Sequence, residues 1–280
     1  MKAMKVIGVA VGLALSMPAA AVTWSTQNGA AGAGTGAICN GVNCQMSFVN
    51  GADTIKIRTY STQTVAVDPS AGSNLNISGT WATGTITNQG GSGFGMTNRF
   101  AGDLNEGTNP EHAVDNQQIR DVAVYELPTS VNGWNIAALG VGWWANDNDV
   151  QVWIGGTNLG ADYNFQNVCF SGCANPANNL TGVGSLGFSN LGVFNIGGAA
   201  GAAGTTNIVS NAVGRYIVVA GGVADASYDA FKLSTISANR CTAGTPNCGT
   251  PPGEVPLPGT IALLGAGLLG LGLARRKVRA

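Results

Sequence analysis

Short runs of alternating apolar and polar residues recur along most of this chain, with turn-forming residues between them. The 43 glycines, together with frequent Asn, Thr and Ser, favour turns and strands over helices. In Thr54–Tyr60, for example, every second side chain would lie on the same face of a strand. The sequence therefore predicts an all-β fold, an antiparallel β-sandwich of jelly-roll type.

The predicted strands are bounded by Gly, Asn, Asp or Pro, and no break in composition divides them. We expect one domain over residues 22–238, with loops at Gly90–Gly95 and Gly197–Gly204. The predicted strands are Gln45–Val49, Thr54–Tyr60, Thr64–Val67, Leu75–Ser78, Trp81–Thr87, Ile119–Tyr125, Trp134–Trp144, Val150–Ile154, Leu186–Asn195, Tyr216–Ala220 and Ala230–Ile236.

The N-terminal residues have the composition of an export signal. Two lysines precede the apolar run Val6–Leu15, and Ala19–Ala21 offers a small-residue cleavage site. This order is typical of a secretory signal peptide, which we predict over residues 1–21. The mature chain is then expected to begin at Val22.

The C-terminal segment combines a proline-rich stretch, an apolar run and a basic end. Residues 239–258 carry five prolines without apolar periodicity and are predicted to be a linker. Residues 259–274 contain no charge and are predicted to be a transmembrane helix, which starts after Pro258 because proline does not fit inside a helix. The basic residues within 275–280 should hold this end in the cytoplasm. They are Arg275, Arg276, Lys277 and Arg279.

The order of these C-terminal parts resembles the PEP-CTERM sorting signal of Gram-negative bacteria, which exosortase recognises. The proline motif is represented here by Val255, Pro256, Leu257 and Pro258, with Leu257 where the signal usually has Glu. The resemblance implies exosortase as a partner and a single-pass intermediate in the inner membrane during sorting. It also implies cleavage near the proline motif and release or re-attachment of the body at the cell surface or extracellular matrix. Exopolysaccharide would be a partner there if the body binds sugars.

Two internal segments resemble the exosortase-dependent surface protein family. The first is Ala113-Val114-Asp115-Asn116, which precedes a strand, and the second runs from Gly142-Trp143 through Asp149. The resemblance covers about the middle quarter of the chain in detail. It implies a surface protein with one domain and a sorting signal, and it implies no known ligand or activity.

The six cysteines lie in the part predicted to be exported and form three pairs of near neighbours. Each pair brackets a turn with Gly or Asn, so we favour local disulfides in an oxidising compartment among the 15 connectivities that six cysteines allow. Zinc is the alternative, but the spacings are not paired Cys-x-x-Cys and the single histidine is distant. The expected pairs are Cys39 with Cys44, Cys169 with Cys173, and Cys241 with Cys248.

Charge and histidine content limit the classes of function. The chain has 13 Lys and Arg against 14 Asp and Glu, and several cations lie in the terminal signals, so the mature body is mildly acidic. Nucleic-acid binding through phosphate neutralisation is therefore not expected. His112 is the single histidine, and no motif marks a serine or cysteine nucleophile. No catalytic residue is predicted, and we do not expect an enzyme.

The segment Asn146-Asp147-Asn148-Asp149 concentrates oxygen ligands of the kind that calcium prefers. Asp115, Asp147 and Asp149 are the candidate calcium ligands, although the segment lacks the Gly and the terminal Glu of an EF-hand loop. The favoured alternative is an Asx-rich hairpin turn, in which the side chains cap backbone groups. No other cofactor is predicted.

Trp143 and Trp144 are the candidate glycan contacts, since exposed indole rings can stack on sugar rings. Adjacent residues of a strand point to opposite faces, so we expect one indole in the core and the other exposed or on the second sheet. Core packing of most tryptophans is the favoured alternative. The first functional hypothesis is thus a non-enzymatic surface or matrix protein, and the second is a lectin-like carbohydrate-binding module.

Overall fold

Every strand in the described part of the chain belongs to one of two antiparallel sheets. The computed structural model describes residues 21–26, 45–62, 79–97, 112–116, 119–222, 229–242 and 248. They fall in one unit of the chain, which ends at Cys248. The strands are β1 (Val22–Ser25), β2 (Met46–Asn50), β3 (Asp53–Thr62), β4 (Trp81–Thr83), β5 (Thr85–Asn88), β6 (Phe94–Thr97), β7 (Val114–Asp115), β8 (Asp121–Glu126), β9 (Trp134–Asn146), β10 (Asp149–Gly155), β11 (Ser189–Asn195), β12 (Gly204–Asn207), β13 (Tyr216–Gly221) and β14 (Asp229–Arg240).

Sheet A contains seven strands, with β12, β9, β14, β6 and β5 as neighbours in that order. Its longest ladder joins β9 to β14, from the Trp134–Arg240 pair at one end to the Asn146–Asp229 pair at the other. On its other side, β14 pairs in turn with β7, β6 and β1. Strand β14, the last described strand in the chain, is therefore the central strand of sheet A.

Sheet B contains the other seven strands, with β11, β10, β13, β8, β3 and β2 as neighbours in that order. The short strand β4 pairs with the C-terminal end of β3, whereas β2 pairs with its beginning. All six residues of β13 are buried. This continuous apolar strand, Tyr-Ile-Val-Val-Ala-Gly, fits a position in which both faces of the sheet are covered.

The core between the sheets is built from alternate residues of the facing strands. In β8, Ala123 and Tyr125 belong to this inter-sheet core, whereas Val122 and Val124 face the other way. Full burial of a large apolar side chain stabilises the fold by about 1.5–3 kcal/mol. The largest members of the inter-sheet core are Trp24, Phe48, Phe94, Tyr125, Trp134 and Phe231.

A second apolar cluster covers the outer face of sheet B. The connection between β10 and β11, residues 156–188, lies over this face. Two backbone bonds tie it to β4, since the N–H of Trp81 donates to Val168 (2.8 Å) and the N–H of Asn167 donates to Trp81 (2.9 Å). The apolar side chains of this connection pack against one another and against sheet B, which stabilises its conformation. They are Phe165, Val168, Phe170, Leu180 and Phe188.

The predicted all-β fold with two antiparallel sheets is confirmed, and its jelly-roll connectivity stays a prediction. The residues described contain no helix long and apolar enough to cross a membrane. Residues 1–20 of the predicted signal peptide, the transmembrane helix predicted over residues 259–274, and the strands predicted at Thr64–Val67 and Leu75–Ser78 lie outside the described residues.

Several boundaries differ from the prediction; for example, the predicted strand Trp81–Thr87 is divided at Gly84 into β4 and β5. Strand β12 starts at the end of the predicted loop Gly197–Gly204, because the missing Cβ of Gly204 leaves room for the carbonyl of Gly197. Strand β6 likewise begins inside the loop predicted at Gly90–Gly95. Strand β14 continues to Arg240, two residues into the predicted linker, because its pairing with β9 extends to the Trp134–Arg240 pair.

Candidate functional site

The two segments that resemble the surface protein family meet at one corner of the sandwich. The side-chain amide of Asn116 donates to Asp229 Oδ2 (2.7 Å) and to the carbonyl of Gly222 (2.6 Å), and the N–H of Asp229 donates back to Asn116 Oδ1 (2.8 Å). The N–H of Asp149 donates to the other oxygen of Asp229 at 2.9 Å. One buried carboxylate thus binds both segments, and sequence reasoning assigned it no role.

The backbone approaches Asn116 closely at this corner, which requires a glycine. A Cβ added to Gly221 would lie 2.8 Å from the Asn116 Cβ, too close for any side chain. The adjacent Gly222 donates its N–H to the carbonyl of Asp149 (2.8 Å). These contacts hold strands β7, β10, β13 and β14 together, so the corner fixes the packing of the two sheets.

The three candidate calcium ligands lie near this corner on different elements. Asp115 lies in β7 opposite Ala230, Asp147 lies in the turn between β9 and β10, and Asp149 begins β10. Asp147 Oδ1 accepts a bond from the N–H of the next residue, Asn148 (2.7 Å), so this carboxylate is engaged by the backbone of the turn. In the residues that the structure describes, no group of three or more His, Cys, Asp or Glu side chains is placed to hold a metal ion. The calcium hypothesis stays a prediction.

Trp143 and Trp144 lie on opposite faces of sheet A. Trp144 pairs with the buried Phe231 and packs against the inter-sheet core. Trp143 pairs with Lys232 and is partly exposed, with the Lys232 ammonium 4.7 Å from the centre of its ring. Lys232 also donates to Gln89. Of the two predicted glycan contacts, Trp143 therefore presents its indole on the outer face.

Arg120 is a buried cation that the sequence pattern does not single out. Its guanidinium donates to the carbonyl of Gly221 (2.5 Å) and to Gln151 (2.6 Å), and its Cζ lies 4.3 Å from the centre of the Phe170 ring. Burial lowers the pKa of Arg120 to about 9, and the charge of Asp229 opposes that shift. Arg120 therefore connects the corner to the cluster that covers sheet B.

A second polar cluster is centred on Glu126, whose side chain is almost fully buried. Glu126 accepts bonds from Arg215 (3.0 Å), from Arg58 (3.5 Å) and from the N–H of Asp162 (3.0 Å). Asp162 in turn pairs with Lys56 (2.7 Å) and with Arg58 (2.5 Å). Hydrogen bonds from Lys56 and Arg58 lower the pKa of Asp162. We name these five residues the Glu126 cluster; it contains three cations and two carboxylates.

A pocket of about 120 Å³ opens beside the Glu126 cluster at one end of the sandwich. It lies where the loop between β8 and β9 meets the end of β10 and the start of β13. Backbone bonds fix its frame, since Trp134 and Gly214 exchange two N–H to carbonyl bonds of 2.9 Å. The residues that line the pocket are Pro128, Thr129, Ser130, Val131, Gly133, Trp134, Thr157 and Arg215.

Two of the three expected disulfides are present in the structure, Cys169–Cys173 and Cys241–Cys248. The pair of Cys39 and Cys44 lies outside the described residues. The first disulfide sits in the connection that covers sheet B. The second follows β14 directly, inside the segment predicted to be a linker, so this segment begins with a closed loop.

His112 lies beside β6 and not next to an identified nucleophile. Its backbone has a left-handed φ of 56°, and its carbonyl approaches Gly95 so closely that only glycine fits there. The Nδ1 atom is buried and has no hydrogen-bond partner among the described residues.

The candidate sorting residues, Val255 to Pro258 and the basic residues from Arg275 to Arg279, lie outside the described residues. Residues 254–277 match the family model of the PEP-CTERM protein-sorting motif. This match confirms the resemblance predicted for the C-terminal segment. The chain therefore carries an exosortase-dependent sorting signal and is an extracellular protein sorted to the cell surface. Comparison with curated proteins and with solved structures found no match to the chain.

Proposed function

We propose that the sandwich is a non-enzymatic structural domain that exosortase delivers to the cell surface or extracellular matrix. The observation that carries this proposal is the match of residues 254–277 to the sorting motif. In this proposal residues 259–274 cross the inner membrane while exosortase acts near the proline motif. The body is then released or attached outside the cell.

The internal contacts support a structural role for the body. The carboxylates of Asp229 and Glu126 both accept bonds from several groups of the protein itself. Carboxylates engaged in this way stabilise packing and are poorly placed to take a proton from a substrate. Release of products from an exopolysaccharide incubated with the purified protein would overturn the non-enzymatic part of the proposal.

Mass spectrometry of the mature surface form tests the sorting step. We expect a C-terminus near the proline motif, without the peptide from Leu263 to Arg276. A matched variant with Pro256→Ala and Pro258→Ala should keep that peptide and accumulate in the membrane. Recovery of the Leu263–Arg276 peptide from the mature surface form of the unaltered protein would contradict sorting by cleavage.

A second candidate function is glycan binding on the outer face of sheet A. Trp143 favours it, because this partly exposed indole lies beside the ammonium of Lys232. Further along the same sheet, the hydroxyls of exposed Thr205 and partly exposed Thr235 lie beside Gly140. A sheet that carries both an aromatic ring and hydroxyl groups is suited to a sugar, which has both apolar faces and hydrogen-bonding edges.

A glycan-binding screen of the unaltered protein, with and without EDTA, tests this candidate. Binding that Trp143→Ala abolishes without lowering the melting temperature would support it, and sensitivity to EDTA would support calcium as well. Absence of binding under both conditions excludes the candidate. Unfolding of the Trp143→Ala variant would favour a core-packing role for this residue.

A further inference from the structure

The pocket beside the Glu126 cluster has walls suited to a polar ligand. The exposed side chains of Thr129, Val131 and Thr157 form part of its lining, and buried Gly133 and Trp134 close it from within. Its volume of about 120 Å³ is several times the space that one water needs. A group the size of a small ring can therefore enter.

Arg215 gives the pocket a cationic wall with spare hydrogen-bonding capacity. One terminal nitrogen of its guanidinium donates to Glu126 (3.0 Å). Its Nε–H is buried and has no hydrogen-bond partner among the described residues. The side chain of Arg215 is 18% exposed, so a ligand in the pocket can accept a charge-assisted hydrogen bond from the accessible part of its guanidinium.

The surrounding charges favour an anion with a single negative charge. The Glu126 cluster joins Lys56, Arg58 and Arg215 to only two carboxylates, so it keeps one positive charge in excess. A carboxylate balances one excess charge and matches the planar fork of an arginine. A phosphate dianion would leave a negative charge in excess.

The other residues that line the pocket favour one kind of carboxylate ligand over others. Three hydroxyl side chains, Thr129, Ser130 and Thr157, line the pocket, and each hydroxyl can both donate and accept a hydrogen bond. Trp134 is fully buried and its Nε1 donates to Pro128 (2.6 Å), so its indole forms a wall. Such a set of groups fits a ligand that carries several hydroxyls in addition to its carboxylate.

We propose that this pocket binds the carboxylate-bearing sugar residue of an acidic saccharide, with the carboxylate paired to Arg215. This site is separate from the outer face of sheet A and goes beyond the proposed structural role. It assigns a ligand class to the loop between β8 and β9, which neither motif nor fold singled out.

Saturation-transfer difference NMR on the full-length protein in detergent tests the proposal, with glucuronate, glucose and acetate as separate probes. We expect glucuronate to give clear transfer, because it alone combines the carboxylate with ring hydroxyls. Glucose and acetate should give little. Equal transfer to glucose, or no transfer to glucuronate, would overturn the proposal.

Thr157 and Val131 provide matched variants, since both side chains are exposed and remote from the core. Thr157→Glu places a competing carboxylate at the pocket and should weaken glucuronate binding about tenfold or more. Thr157→Gln removes the same hydroxyl without adding a charge and should weaken binding clearly less. Val131→Trp should block the pocket without changing its charge. Equal effects of Thr157→Glu and Thr157→Gln, or unchanged binding in Val131→Trp, would count against the site.

Trp143→Ala separates this proposal from glycan binding on sheet A. We expect the variant to bind glucuronate as the unaltered protein does. Loss of glucuronate binding in Trp143→Ala, together with unchanged binding in Thr157→Glu, would assign the sugar to the outer face and overturn the pocket.

Discussion

Three hydrogen bonds join Asn116 to Asp229, although the two residues lie 113 positions apart in the chain. The side-chain amide of Asn116 donates to the Asp229 carboxylate, and the backbone N–H of Asp229 donates to the side-chain Oδ1 of Asn116. Both residues are almost fully buried. This reciprocal pair holds β7 against β14. The other oxygen of the Asp229 carboxylate accepts a bond from the N–H of Asp149, where β10 begins.

Replacement of Asn116 by Ala should destabilise the protein by about 2–3 kcal/mol, because it leaves buried hydrogen-bonding groups of Asp229 and Gly222 without their partner. Urea unfolding at neutral pH measures this free energy. The matched control is Asn190→Ala, which removes an exposed cap on Gly192 and should cost about 0.5 kcal/mol. Equal destabilisation by the two variants would show that the corner contributes nothing beyond a surface cap.

Glu126→Gln should destabilise the protein by about 3–5 kcal/mol, because it removes the buried charge that faces Arg58 and Arg215. The control is Asp53→Asn, which breaks the more exposed pair with Arg240 and should cost about 1 kcal/mol or less. Urea unfolding of both variants gives the comparison. A loss of under about 1 kcal/mol for Glu126→Gln would mean that solvent reaches this cluster.

Asp162 should make stability depend on acidic pH. Hydrogen bonds from Lys56 and Arg58 lower its pKa in the folded state, so the unfolded chain takes up the proton first as pH falls. The stabilisation is present above the ordinary carboxyl pKa of about 3.9 and is lost as pH falls below it. Asp162→Asn should flatten this part of the curve of unfolding free energy against pH. The left-handed φ of 57° at this position accepts Asn. An unchanged acid slope would contradict the assignment.

Tyr125→Phe and Tyr60→Phe should change stability in opposite directions. The Tyr125 hydroxyl is buried without a hydrogen-bond partner among the described residues, so its removal should stabilise the protein by about 1 kcal/mol. The Tyr60 hydroxyl accepts a bond from the N–H of Phe165 (3.3 Å), so its removal should cost about 1 kcal/mol.

Alkaline pH should enlarge the benefit of Tyr125→Phe. Burial raises the pKa of Tyr125 well above its ordinary value, so the unfolded chain ionises first and stability is lost as pH rises above about 10. Phe cannot ionise and removes this loss. Urea unfolding at about pH 7 and about pH 10.5 measures the difference. A benefit that does not grow with pH would contradict the buried position of the hydroxyl.

Much of the sandwich follows from local periodicity. Alternation in residues 54–60 predicts β3, and the apolar run at Tyr216 predicts β13, because each pattern reports which faces of a strand are buried. The same period places Trp143 and Trp144 on opposite faces. Strand β12 escaped prediction because its Gly204 start reads as a loop, and because an edge strand requires little more than backbone pairing.

The contacts of the site could not be predicted to the same degree. Both family-like segments are visible in the sequence, but Asp229, which joins them, lies far along the chain without a motif. Arg120 likewise looks like a surface cation, and its burial depends on Phe170 from the connection over sheet B. Charged residues are rarely buried unless other groups pair with them. Here those partners come from distant parts of the chain, and the local sequence pattern does not show which residues they are.

The central position of β14 in sheet A determines when, during export, the domain can complete its fold. The strands β1, β6, β7 and β9 all pair with β14, so sheet A stays open during export until residue 240 has emerged. Only residues 241–253 then remain before the sorting motif at 254–277. Closure of the domain and arrival of its sorting signal therefore nearly coincide. A chain stalled earlier would present unpaired strand edges to its neighbours, with no signal yet available to send it onward.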